Sequence, residues 1–188
     1  MVYNILTDAF GTIAPRYTGT LSAVFSALII VLIAQSPNKF STIYHRVMCG
    51  MSIGNIFCSV AMAFSTLPIP VYGWNEDRQV FVYHGFDSVN TRGTTGTCTA
   101  QGFFFLFGVF MAYTYNATLC LYYLCALAFR MKESNIKQKV ETFLHGIPIL
   151  LALLIAVPPI FYQMYNPNGP GDVWCNLSKC QQRWICKQ

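Results

Sequence analysis

The chain has 188 residues, and only 10% of them are charged, against roughly 25% in a typical soluble domain. Its 54% of apolar residues are blocked into long charge-free runs rather than scattered, which argues against a water-soluble enzyme and for an integral membrane protein. The net charge of +5 is modest, and the basic residues fall between the apolar runs, which argues against a nucleic-acid surface.

Residues 1–16 form a short amino-terminal segment without the basic start, short apolar core and small-residue cleavage site of a signal peptide. The first span is predicted at about 17–34, free of charge between Arg16 and Lys39 and ended by Ser36-Pro37-Asn38, because proline disfavours helix in the residue before it. A basic connector with Lys39, His45 and Arg46 leads to a second span at about 47–72, whose far end contains Pro68 and Pro70. Along this span Gly50, Gly54, Cys58, Ala61 and Ser65 form a stripe of small side chains that lets two helix backbones approach closely.

A polar loop follows, in which RQVFVYH alternates enough for a short strand. The third span, at about 99–129, is the longest. As a helix it would measure about 46 Å, more than the roughly 30 Å of bilayer hydrocarbon, so it must tilt or project. Basic residues Arg130, Lys132, Lys137 and Lys139 crowd the next connector. The fourth span is predicted at about 143–165, interrupted by Pro148, Pro158 and Pro159, whose freed backbone groups need partners from neighbouring helices. Residues 166–188 form a polar tail with Cys175, Cys180 and Cys186. The expected fold is therefore all-α, a polytopic bundle of four transmembrane helices occupying 17–165.

Counting Lys and Arg by segment does not set the orientation for the whole chain. Excluding the tail, it favours a cytoplasmic side for the two short connectors. In that arrangement Cys98 and the three tail cysteines share the oxidising face. On the same face lies Asn176-Leu177-Ser178, an N-glycosylation sequon. Asn116-Ala117-Thr118 matches it too, but mid-span. The expectation is a plasma-membrane protein with an outside amino terminus and an outside tail.

The stretches YHRVMCGMSIGNIFCSVAMAFSTLPIP and YNATLCLYYLCALAFRMKES, a long third span with cysteine at its outer end and a cysteine after span four resemble a G-protein-coupled receptor. The resemblance is nearest to the cyclic-AMP-receptor-like, seven-span proteins of protists and algae, and covers roughly 21–175. It implies a disulfide between Cys98 and Cys175. Cys180 and Cys186 could pair with each other, or either could replace Cys175. Where such receptors carry a sodium-holding acid in span two, this chain has Asn55; Asn55 and Asn116 are expected to face the bundle interior. In place of acid–Arg–Tyr at the inner end of span three stands Ala128-Phe129-Arg130.

The resemblance further implies a ligand pocket among Ser65, Thr66, Gln101, Phe105 and Tyr162, and an inner surface of Tyr44, His45, Arg46, Arg130 and Lys132 offered to a heterotrimeric G protein. Trp74 and Trp174 suit the headgroup level. No HExxH, GxxxxGK[ST] or GxSxG motif is present, and His45, His84 and His145 are scattered, so no enzyme, metal or cofactor is expected. The expected function is transduction of an extracellular ligand to an intracellular G protein. A four-span scaffold of tetraspan type is the alternative, and a channel subunit a third, weaker one. Four spans fit in 188 residues and seven do not, so the expectation is a truncated or incomplete seven-span chain.

Overall fold

A computed structural model describes residues 2–37, 39–69, 72–75, 80–83, 92–166 and 174–177. Its helices are α1 (Val2–Gln35), α2 (Ile43–Phe64), α3 (Thr95–Tyr123), α4 (Glu133–Lys139), α5 (Glu141–Ala156) and α6 (Pro158–Phe161), with a π-helical turn, Leu124–Ala128, continuing α3. Among the described residues, four helical stretches, Ile13–Gln35, Ile43–Phe64, Thr95–Ala128 and Glu141–Phe161, are long and apolar enough to cross a membrane. The fold is an all-α bundle of the multi-pass membrane type.

Helix α1 begins at Val2 and runs unbroken through Pro15; its membrane-length apolar part, Ile13–Gln35, lies close to the expected 17–34. The second span differs more. Helix α2 stops at Phe64, well short of residue 72. There Ser65 turns into the left-handed region at φ 45°, and turns continue to Pro68, whose ring keeps Leu67 from resuming a helix. The third span is 34 residues long, about 51 Å as a helix, and so longer still than predicted. Its start is fixed by a capping box: the Thr94 hydroxyl accepts from the Thr97 N–H, and the Thr97 hydroxyl accepts from the Thr94 N–H at 2.7 Å.

The alternating RQVFVYH stretch supplies β2 (Val80–Tyr83), paired antiparallel with β1 (Tyr72–Asn75) so that Tyr72 faces Tyr83. A second two-residue ladder joins β3 (Tyr165–Asn166) to β4 (Asn176–Leu177). It brings the segment after the fourth span back over the bundle end.

The spans pack in the order α1 on α2, α2 on α3, and α3 on α5. Glycine sets the closeness of two of these crossings. A Cβ on Gly19 of α1 would lie 2.7 Å from the Ser59 carbonyl oxygen of α2, and the Ser59 and Ser22 hydroxyls bond at 2.9 Å beside it. The stripe on α2 faces α3: Gly50 lies under the Tyr115 ring, Gly54 against Met111, and Cys58 against Gly108. Below that crossing, Ile43, Val47, Met111, Tyr115, Ile136, Leu144 and Ala152 form the main core.

Candidate functional site

One end of the bundle is tied by a polar latch. Cys98, in the first turn of α3, is bonded to Cys175, and both are buried. One turn further along α3, Gln101 is 5% exposed. Its Nε2 donates to the carbonyl oxygens of Ala61 at 2.9 Å and Ser65 at 2.7 Å, and its Oε1 accepts from the Cys175 N–H at 3.1 Å. A single amide thus holds the terminal turn of α2, the start of α3 and the disulfide segment together. Arg16 of α1 joins them, its Nη2 donating to the Thr66 hydroxyl at 2.9 Å. Thr97 donates to the Pro68 carbonyl at 2.9 Å.

Tyr165 completes the latch and resolves the proline problem in the fourth span. Pro158 and Pro159 break the helix after Ala156, and the Ile160 N–H bonds to Val157 at 3.0 Å instead of reaching back to Ala156. The Tyr165 hydroxyl donates to the freed Ala156 carbonyl at 2.7 Å. Its ring lies directly over Gly102, where any side chain would collide with it. Burial pushes the Tyr165 hydroxyl up from 10.0 to about 12.

A raised pKa means that the folded chain prefers the neutral phenol. Its contribution is complete below pH 10 and is lost as pH rises through about 12. Tyr165→Phe should lower the melting temperature at neutral pH by the worth of one hydrogen bond, about 1 kcal/mol. Melting curves from pH 8 to 12 should show the gap between the two proteins closing across the upper half of that range. A constant gap would refute the assignment.

Gln101 carries a larger expectation. Gln101→Leu keeps the volume but leaves the Cys175 N–H and the Ser65 carbonyl buried without this partner, and such groups cost about 1–3 kcal/mol each. A net loss of about 2 kcal/mol, or about 6 °C in melting temperature, is expected in detergent. Gln101→Glu should be worse than Gln101→Leu if both carbonyls need a donor; equal losses would show that only volume matters.

The predicted pocket set does not assemble as one lining. Ser65 and Thr66 are wholly buried inside the latch. Phe105 stacks on Trp174 with ring centroids 6.0 Å apart. Tyr162 is 70% exposed, beyond the break at Pro158. Of the five, Gln101 lines a groove of about 650 Å³ between α2 and α3. Asn116 is exposed in the four-helix arrangement. Successive residues are about 100° apart on a helix, and Tyr115, its neighbour, is the one that points inward. Asn55 is half-buried beside Gly54. Cys180 and Cys186 lie outside the described residues, and so do the side chain of Trp74 and the whole of His84. Asn176 falls in β4, next to Cys175.

At the opposite end, Arg46 turns into the bundle. Its Nε is 2.8 Å from Glu141 Oε1 at the start of α5, an ion pair by distance without hydrogen-bond alignment. Glu133 accepts from the Ile43 N–H at 3.3 Å, pinning α4 beneath α2. His145, in the first turns of α5, is half-buried with Nδ1 3.3 Å from the Tyr115 hydroxyl. Arg130 and Lys132 are exposed, while Tyr44 and His45 are half-buried. Sequence reasoning did not single out Tyr115, Glu141 or Tyr165. Their roles come from contacts 30 or more residues away for Tyr115, and from a proline break for Tyr165.

No known protein family, curated protein or solved structure matches the chain.

Proposed function

We propose that the chain is a G-protein-coupled-receptor-like membrane protein, carrying a signal from an extracellular ligand to an intracellular heterotrimeric G protein. The observation that supports this reading is the Cys98–Cys175 bond, which ties the top of a long third span to the segment following the fourth. The packing order of the spans is compatible with it. Disulfides persist on an oxidising face, so the latch end, the amino terminus and Asn176 are taken as outside, at the plasma membrane. The signal would be a shift between two packings of the bundle, biased by ligand at the latch end and by a partner at the Arg130–Lys132 end.

The test is co-purification of the chain with a heterotrimeric G protein from membranes depleted of guanine nucleotide. Association that is released by a non-hydrolysable GTP analogue is expected. Association with other membrane proteins that ignores nucleotide would overturn the receptor reading in favour of a four-span scaffold. Orientation is checked separately: wild type should lose one glycan's mass on glycosidase treatment, and Asn176→Gln should not.

A further inference from the structure

We infer that the groove between α2 and α3 is a binding site for an anionic membrane lipid, with an acyl chain along its floor and the headgroup against Arg92. This does not rest on the receptor reading. The groove is walled by Phe57, Val60 and Phe64 of α2 and by Ala100 and Phe104 of α3. Phe57 and Phe104 stack on each other with ring centroids 5.6 Å apart. Its volume of about 650 Å³ is within the roughly 300–1,000 Å³ of small-molecule sites.

What selects an anionic occupant is the placement of charge. The walls lie inside the membrane-spanning stretches, whereas Arg92 lies three residues before Thr95, just beyond the end of the third span. Its backbone is fixed there. The Arg92 N–H donates to the Leu67 carbonyl at 3.3 Å, and the Gly93 N–H donates to the Ile69 carbonyl at 3.0 Å. Gly93 sits so closely against Pro68 that no side chain would fit. The Arg92 side chain is exposed, and among the described residues no carboxylate pairs with it. A guanidinium just beyond the end of the third span, above a largely apolar groove, complements a negatively charged headgroup on an acyl chain. It offers nothing comparable to a zwitterionic one, whose own cation would face the arginine.

The test uses the full chain purified in detergent and incubated with equimolar dioleoylphosphatidylglycerol and dioleoylphosphatidylcholine, with retained lipid counted by native mass spectrometry. One exposed ion pair predicts a preference of about two- to fivefold for the anionic lipid. Arg92→Gln should bring the ratio to one without changing the melting temperature. Ala100→Phe, which fills the groove from an exposed position, should lower retention of both lipids. Millimolar inorganic phosphate should displace nothing. Equal retention by the wild type, or a preference that survives Arg92→Gln, would overturn the proposal. Displacement by phosphate would reassign Arg92 to a free anion, and a dimer shedding both lipids would reassign the groove to a second copy; either result also overturns it.

Discussion

Gly108→Leu is expected to abolish assembly of the bundle, read as loss of the monodisperse peak in detergent size-exclusion chromatography. Between helices in lipid there is little hydrophobic driving force, since lipid tails are as apolar as leucine, so association depends on close packing. The α2–α3 crossing is where that packing is tightest. A Cβ on Gly108 would stand 2.5 Å from the Cys58 amide nitrogen and 2.6 Å from the Gly54 carbonyl oxygen. Both are backbone atoms, and neither can rotate away as a flexible side chain would. Even Gly108→Ala must push the helices apart, loosening Gly54 on Met111 and Gly50 on the Tyr115 ring at the same time. Overpacking of a well-filled core costs about 1–3 kcal/mol for small additions, and leucine at this crossing should exceed that range.

Gly146, with nothing near a Cβ position, is the control. Gly146→Ala should leave the profile unchanged and raise helix stability slightly. A Gly108→Leu protein with the wild-type profile and melting temperature would show that the α2–α3 crossing is not where the bundle is held.

The contrast between these two glycines shows what was legible beforehand. The four spans were readable because lack of charge over twenty or more residues is a property of the chain alone. The small-residue stripe on α2 was readable for the same reason, being a periodicity within one helix. Gly108 sits in FLFGVF with nothing to distinguish it from any other glycine in a span; only the approach of α2 reveals its use. The end of α2 was misread because Pro70 and Tyr72 mark where the apolar run stops. The helix itself stops where Gln101 captures the Ser65 carbonyl, a contact between residues far apart in sequence. Likewise Tyr162 and Tyr165 look equivalent in FYQMY. The break at Pro158 and the orphaned Ala156 carbonyl decide that one is exposed and the other buried.

The Cys98–Cys175 bond is expected to be the largest single contribution to stability at the latch end. The two cysteines are 77 residues apart, and the chain-entropy estimate for a loop of that length is about 4.5 kcal/mol. This is an upper figure, because spans already inserted in a bilayer restrict the unfolded chain before any crosslink forms. A loss of about 10 °C in melting temperature is expected for Cys98→Ala together with Cys175→Ala. Part of it comes through Gln101, whose bond from the Cys175 N–H depends on the segment staying in place. Each single variant should lose as much as the double, since either removal breaks the same bond.

The single variants also separate the pairings that four cysteines allow. If Cys175→Ala retains a crosslink from Cys98, seen as a mobility difference between reduced and non-reduced chains after cleavage between α3 and the tail, then Cys180 or Cys186 has replaced it. If the double variant melts within 2 °C of the wild type, the bond does not hold the latch. The hydrogen bonds of Gln101, Tyr165, Arg16 and Thr97 would then have to carry it, and Gln101→Leu on that background should cost no less than it does in the wild type.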